Sequence, residues 1–510
     1  MAALNLAMLL EMAADGFGRR LAVGPRDGGI PYWRLRELAS APGPGPGAGE
    51  VLALAEPNSV VVPVAMFSAF WAGATYSPLN YRLPDAQVAR ALERLGPRLL
   101  LCPAARQASL AGLAGWAEEG QAWLVRRGAE AGPPSPYPED PAGPAVVLFT
   151  SGTATEPKAA TLGHDHLVSY VLASTEFASA GEDEAVLLAA PPFHVAGVVG
   201  VLTACYAGRR LVPLAAFDPR AWVDTVRAEQ VTNAFVVPTM LARIVAVLEE
   251  EGQGGPGLPS LRTLTYGGAR LPLPVLERAL RLLPSTGFVN AYGLTETSST
   301  VSVLGPEDHR RAAASSDPHE RARLASAGRP IPGVEVAILG PAGETLPPGQ
   351  TGEICLRGPQ VSGTYLSGEA RTDAQGFLHT GDVGFLDAEG YLFVAGRLDD
   401  MIIRGGENIS PAEVEDALAA HPEVEAAAVV GLPDEEWGEK VAAVVCPRPG
   451  TSPDPGRLAG WVAERLGSLK APEVVAFDSE LPVGDTGKVL RRQVRQRLLG
   501  LAGAGGGRPG

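Results

Sequence analysis

The chain has 510 residues, with 42 Lys and Arg against 57 Asp and Glu, for a formal net charge of −15. A hydrophobic fraction of 46% with 19% charged residues excludes wholesale disorder and a coiled coil, and the length allows two or more domains. The acidic balance excludes a broad basic footprint for nucleic acid or an anionic membrane. Its 62 Gly and 46 Pro mark a loop-rich globular enzyme.

Residues 1–20 read as a short amphipathic helix and not a secretory signal, because Glu11 and Asp15 interrupt the apolar run. The uncharged stretches 57–81 and 185–208 are long enough to cross a bilayer, but their internal Pro, Gly and Asn assign them to a buried core. Strands are expected over 51–55 and 99–102, with a buried helix over 60–72 and an amphipathic one over 85–95. That alternation predicts a parallel sheet with helices on its faces. The stretch 41–50 is a surface loop, and 131–144 reads as a linker between two subdomains. A second α/β region follows, with strands over 145–149, 185–190, 233–237, 264–266 and 287–291. Its helices are expected over 165–173, 218–229 and 238–249.

From about Gly333 the apolar residues alternate between Gly turns, which predicts a small β-barrel or sandwich. Beyond Gly396 the texture changes again. Ser410, Pro411, Ala412 and Glu413 read as a capping box with Pro at the first helical position. Paired strands over 424–432 and 440–446 and a helix over 457–466 complete an α+β unit. The expected organisation is a large α/β domain over 1–397, built of two α/β subdomains plus the small barrel. A boundary at 398–400, an α+β domain over 401–497 and a disordered tail over 498–510 follow it.

Only four of the basic residues are lysines: Lys158, Lys440, Lys470 and Lys488. A Lys kept in an Arg-rich chain marks a place where a guanidinium fork does not replace an ammonium point charge. Cys102, Cys205, Cys355 and Cys446 are far apart and form no CxxC, which argues against a disulfide framework or zinc site and fits a reducing cytoplasm.

Four segments could carry chemistry. In FTSGTATEPKAA (149–160) a strand opens into Thr150, Ser151, Gly152 and Thr153, followed by Lys158. Hydroxyls, backbone amides and one ammonium suit a phosphate cradle, although GxxxxGK[ST] is absent; a polar turn with a solvated Lys is the alternative. NAYGLTETSS (290–299) offers the aromatic Tyr292, a turn at Gly293, the Thr295 hydroxyl and the Glu296 carboxylate. A nucleotide–Mg²⁺ site needs these groups, and a capped turn with a core Tyr would also account for them. In 380–411, Asp382 and Arg397 stand beside glycines and could face a ribose diol or simply pair with each other; Gly405 and Gly406 allow close backbone approach. LPVGDTGKVLRR (481–492) presents Lys488 on a Gly-flanked turn. His194 lies in apolar sequence, as a core or a pocket residue. His164 and His166 flank Asp165 without a further ligand at metal spacing, so no metal site is expected.

In this order, from about Tyr32 to Arg492, the segments resemble the adenylate-forming superfamily of acyl- and aryl-CoA synthetases, peptide-synthetase adenylation domains and luciferases. The family pattern TSGTTGxPKG is matched apart from Ala154-Thr155 and Ala159. The resemblance implies that Thr150, Ser151, Thr153 and Lys158 hold the β- and γ-phosphates. Gly267, Gly268 and Ala269 would border adenine with Tyr292 on its face. Thr295 would contact the α-phosphate, Glu296 would bind Mg²⁺, and Asp382 and Arg397 would hold the ribose. It makes Asp399 the hinge, Lys488 the catalytic lysine bridging substrate carboxylate and α-phosphate, and His194 the border of the acyl pocket and thiol tunnel. It also implies a mobile C-terminal domain that brings Gly405 and Gly406 to the site for the second half-reaction.

GGENISPAEVE (405–415) resembles the CoA synthetases more than peptide-synthetase domains, and 194–198 lacks an Asp to hold an α-amine. The lining expected from His194, Val195, Gly197, Val198, Phe235, Val236 and Tyr266 is mostly apolar and suits an aliphatic, alicyclic or aryl acid. The expected substrates are that acid, ATP with Mg²⁺, and CoA, with Arg404 near the CoA phosphates. A ligase loading a carrier protein is the alternative acceptor reading, and a silent nucleotide-binding protein is the alternative class. No nucleic-acid partner or membrane span is expected, and a homodimer stays open.

Overall fold

The computed structural model describes residues 4–43, 45–150, 157–252, 255, 257–484 and 489–504, the last four as backbone only. Two mainly parallel sheets organise the large domain. The first has seven strands, in the order Thr364–Tyr365, Lys158–Leu162, Val146–Thr150, Thr75–Pro78, Val51–Leu54, Leu99–Leu101 and Trp116–Glu118. The second has nine, and its parallel centre runs Gly287–Leu294, Thr263–Gly267, Asn233–Val236, Ala185–Leu188, Arg210–Pro213 and Leu21–Val23.

The apolar run 60–72 becomes the helix Val61–Trp71, buried at every position. It needs no polar face because the first core closes around it, together with the amphipathic helix Ala7–Phe17 and the helix Val195–Ala207. Trp222, Val223 and Val226 anchor the helix Pro219–Ala228 in the second core, and Asp218 caps it by accepting from the N–H groups of Arg220 and Ala221. Among the described residues, no helix is long and apolar enough to cross a membrane.

The segment 131–144 does not separate the two sheets. The strand after it, Val146–Thr150, still pairs with Thr75–Pro78 of the first sheet, and Leu21–Val23 near the start joins the second. Strand pairing is a long-range choice, so a Pro-rich composition does not mark where the chain changes sheets. The β-rich stretch after Gly333 is a four-stranded antiparallel sheet in the order Glu335–Leu339, Gly352–Arg357, Leu378–Leu386, Leu392–Arg397.

A 3₁₀ turn, Leu398–Asp400, leads into the last domain. There Gly438–Pro447 is the central strand of a five-stranded sheet, pairing antiparallel with the edge strand Val424–Asp434, and Pro411–Ala419 and Pro455–Leu466 pack on the sheet. The capping box does not form. Ser410 Oγ donates instead to the Ala395 carbonyl at 2.5 Å, and Glu413 pairs with Lys470 at 2.8 Å. The final helix Arg491–Ala504 extends through 498–504, where disorder was expected. Leu498 is fully buried against the sheet, which gives the helix an apolar contact where the flanking composition suggested none. Residues 505–510 lie outside the described residues.

Candidate active site

The expected ribose pair is assembled by strand register. Asp382 lies directly across from Arg397 in the hairpin of Leu378–Leu386 and Leu392–Arg397. Arg397 Nη1 donates to Asp382 Oδ1 at 2.8 Å, and the Tyr292 hydroxyl donates to Oδ2 at 2.7 Å. Tyr292 comes from Gly287–Leu294 of the nine-stranded sheet, so this carboxylate joins two sheets. Burial, reinforced by the Asp382 carboxylate, raises the Tyr292 phenol well above its usual range and keeps it a donor. Burial alone would lower Arg397, but the adjacent carboxylate reverses that and raises it.

The backbone under Asp382 is held as well. Cys355 faces His379 while Glu353 faces Val383, so the strand carrying Asp382 bulges between them. In the bulge, Gly381 takes φ +70°, a conformation that favours glycine. Its N–H donates to Glu353 Oε1 at 3.0 Å, and the Asp382 N–H donates to Thr380 Oγ1 at 2.9 Å. Glu353 was missed from sequence; its only signal was alternation on the strand GEICLR.

Glu296 lies on the 3₁₀ turn Thr295–Thr297 that ends the Tyr292 strand. It is buried, and its Oε1 accepts from the Tyr365 hydroxyl at 2.7 Å. The turn requires glycine at 293, because a Cβ there would sit 1.7 Å from the Ser299 carbonyl oxygen. Gly267 ends the neighbouring strand under a similar constraint, 2.3 Å from the Ala291 oxygen, and Gly268 follows with φ +80°. Both glycine turns and Ala269 stand at the carboxyl ends of parallel strands, the edge at which open α/β sheets bind ligands. A buried carboxylate is a hard oxygen donor of the kind Mg²⁺ takes, so Glu296 fits the ion.

Thr150 and Lys158 are partners across the antiparallel strands that flank the phosphate-loop sequence. Lys158 Nζ pairs with Glu369 at 2.9 Å and lies 4.9 Å above the Tyr365 ring. Ser151, Gly152, Thr153 and Lys488 lie outside the described residues. The other two lysines are engaged within the last domain, Lys440 with Asp434 and Lys470 with Glu413.

The expected acyl lining divides. His194 stands at the N-cap position of the helix Val195–Ala207, half-buried, with its ring centroid 4.6 Å from that of Phe193. Gly197 in the first turn is obligatory, since a Cβ there would meet the Pro191 oxygen at 2.6 Å. Val198, Val236 and Tyr266 are core residues instead. Successive strand residues face opposite sides, so Phe235 and Val236 cannot both line one pocket. Val236 points into the second core beside its register partner Tyr266, whose hydroxyl bonds His309 Nε2 at 2.9 Å, while Phe235 is half-buried on the other face.

Gly405 and Gly406, with φ +59° and +86°, form the two-residue turn of the hairpin Ile402–Arg404 and Glu407–Ile409. Arg404 is not presented to a ligand. It is buried, donates to the Leu469 carbonyl at 3.0 Å and pairs with Glu473. The last domain meets the candidate nucleotide edge through an ion pair between Arg270, after the Gly267–Gly268 turn, and Asp416. His164 is structural: it is buried and its Nδ1 accepts from the Leu6 N–H at 3.1 Å.

Residues 38–366 match the family described as AMP-binding enzyme, and residues 413–488 match its C-terminal domain. The chain is 38% identical over 460 residues to a feruloyl-CoA synthase of an Amycolatopsis species, covering 88% of this chain and 89% of that one. It is 34% identical to a fatty acid–[acyl-carrier-protein] ligase of Streptomyces coeruleorubidus, covering 85% and 84%. The o-succinylbenzoate CoA synthetase of Bacillus subtilis, solved with its acyl-adenylate intermediate, superposes with a TM-score of 0.81 at 27% identity over 96% of this chain and 97% of that one.

Proposed function

Because the chain belongs to the AMP-binding enzyme family, we propose that it is an acid–thiol ligase that activates an apolar carboxylic acid with ATP and passes the acyl group to CoA. The observation that carries this reading is the meeting of Tyr292, Asp382 and Arg397 on one buried carboxylate, at the strand ends that also bear Glu296 and the Gly267–Gly268 turn.

A carboxylate is a poor acylating agent because oxide is its leaving group. Attack of its oxygen on the α-phosphorus of ATP breaks the α–β phosphoanhydride bond, releasing pyrophosphate and leaving the acyl-adenylate. Both reactants are anionic, so cationic groups must be placed where charge develops. Lys158 draws the outer phosphates, Lys488 bridges the attacking carboxylate and the α-phosphate, and Thr295 donates to the α-phosphate. Asp382 accepts from the ribose hydroxyls while Arg397, hydrogen-bonded to Oδ1, keeps it aimed. Glu296 would hold Mg²⁺, which supplies charge neutralisation at the phosphates when bound. The thiol of CoA then attacks the acyl carbon, its proton leaves, and AMP departs with the electrons of the broken anhydride bond.

In the second step Lys488 would crowd the incoming thiol. The 401–497 domain therefore turns about Asp399 between half-reactions and brings the Gly405–Gly406 hairpin to the site. His194, Val195, Gly197 and Phe235 stand at the acyl side, and their apolar character suits an aliphatic, alicyclic or aryl acid. The setting of this chemistry is the cytoplasm.

Pyrophosphate release with Mg·ATP, measured over a panel of carboxylic acids with and without CoA, tests the reading. Release for one class of acid, with acyl-CoA and AMP formed only when CoA is present, is the expected outcome. No release with any acid, together with ATP binding by calorimetry, would indicate a silent nucleotide-binding protein. A carrier-protein acceptor is a second reading, favoured by the engagement of Arg404 inside its own domain and by the carrier-protein ligase among the relatives. It predicts adenylate formation without a CoA-dependent product, and acyl transfer to a phosphopantetheinyl carrier protein.

A further inference from the structure

The strands Gly352–Arg357 and Leu378–Leu386 gather a second set of reactive side chains. Cys355 sits directly across from His379, and Glu353 is two residues away on the same strand. Cys355 Sγ lies 3.6 Å from His379 Nδ1, and Glu353 Oε2 lies 2.9 Å from the same nitrogen. The three donor atoms all lie within 4.8 Å of one another. Cys355 forms a buried floor, and Glu353 and His379 form a partly open rim, with side-chain exposures of 23% and 39%. Behind the ring, His379 Nε2 faces Asp373 Oδ2 at 3.6 Å.

Sulfur, imidazole nitrogen and carboxylate oxygen together form a donor set for borderline-soft transition metals, whereas Mg²⁺ and Ca²⁺ take oxygen alone. Three protein donors leave one tetrahedral position for water. Asp373, at ion-pair distance from the far ring nitrogen, occupies the place of the outer-shell carboxylate that orients a ligating histidine.

We propose that Glu353, Cys355 and His379 bind one divalent cation of the Zn²⁺ type, at a site separate from Glu296. On binding, the Cys355 thiol gives its proton to solvent and the thiolate, Nδ1 and one Glu353 oxygen become ligands. The other Glu353 oxygen accepts from the Gly381 N–H in the bulge that carries Asp382. A cation here therefore acts on the backbone beneath the candidate ribose carboxylate.

The test is equilibrium dialysis of the chelator-treated full-length protein against Zn²⁺, with Co²⁺ as a spectroscopic substitute. Wild type is expected to bind one equivalent, and Cys355→Ser and His379→Ala each to weaken binding at least about tenfold. Asp373→Asn keeps all three ligands and is expected to weaken binding about 10- to 100-fold. The Co²⁺ form should show a thiolate charge-transfer band that Cys355→Ser removes. The group His319, Asp387 and Glu389, of which only Asp387 is buried, contains no thiol and cannot produce that band. Absence of binding, a Co²⁺ form without the thiolate band, or unchanged affinity in Asp373→Asn and Cys355→Ser would overturn the proposal.

Discussion

The proposed ribose corner and the seam with the last domain are built differently. At the corner, Asp382 is 7% exposed and its oxygens, its N–H and the N–H before it are all hydrogen-bonded within the large domain. At the seam, the ion pair of Arg270 and Asp416 has side-chain exposures of 38% and 40%, and one hydrogen bond links Ser410 to Ala395. Buried charge held by several donors is costly to disturb, whereas a half-buried pair at a domain face lies nearer the about 0–1 kcal/mol of a surface ion pair. The contrast suits the proposed cycle, in which the nucleotide stays held while one domain turns.

The largest expected effect separates the two regions by half-reaction. Lys488→Ala is expected to lower pyrophosphate release from acid and ATP by about 10²- to 10³-fold, the scale of losing one preorganised charge-stabilising group. Thioester formation from supplied acyl-adenylate should survive; equal loss in both assays would remove Lys488 from the first step. Asp382→Asn tests the rigid corner. Hydrogen bonds to charged groups contribute about 1.5–3 kcal/mol, so KM for ATP should rise about 10- to 100-fold. An unchanged KM would mean that the carboxylate only ties two sheets together.

At the seam, Asp399→Pro restricts φ at the proposed hinge and should slow thioester formation at least about tenfold more than adenylation. A constant ratio of the two rates would place the pivot elsewhere. The smallest effect concerns Asp416. Burial pushes its carboxyl up to about 6, with the Arg270 guanidinium pulling the other way. A carboxyl raised in the docked arrangement favours docking below its ordinary pKa and loses that contribution as pH rises through about 6. The ratio of the half-reactions should therefore shift between pH 4.5 and 7.5 in wild type, by no more than about fivefold, and stay flat in Asp416→Asn.

Much of the local structure was legible in the sequence. The helix expected over 85–95 forms as Asp85–Leu95, because its apolar residues keep a helical period and Gly96 ends it in the left-handed conformation. A 3₁₀ turn occupies Leu398–Asp400, between the four-stranded sheet and the sheet of the last strands. Lysine scarcity was a mixed guide: Lys440 and Lys470 form ion pairs inside the last domain. The acyl lining was the weakest reading, because taking Phe235 and Val236 together ignored the two-residue period of a strand.

The sequence alone determined the periodic segments, the order of the chemistry-bearing motifs and the glycines at their turns, since propensity, period and residue type are local properties. Tertiary structure decided which strands pair and therefore which residues meet. Only the register of two antiparallel strands puts Arg397 across from Asp382, and only the junction of two sheets brings Tyr292 onto the same carboxylate. Glu353 at the neighbouring bulge and Asp416 against Arg270 are decisions of the same kind. Contacts between residues far apart in the chain depend on which apolar faces can be buried together, and that balance is struck only by the folded whole.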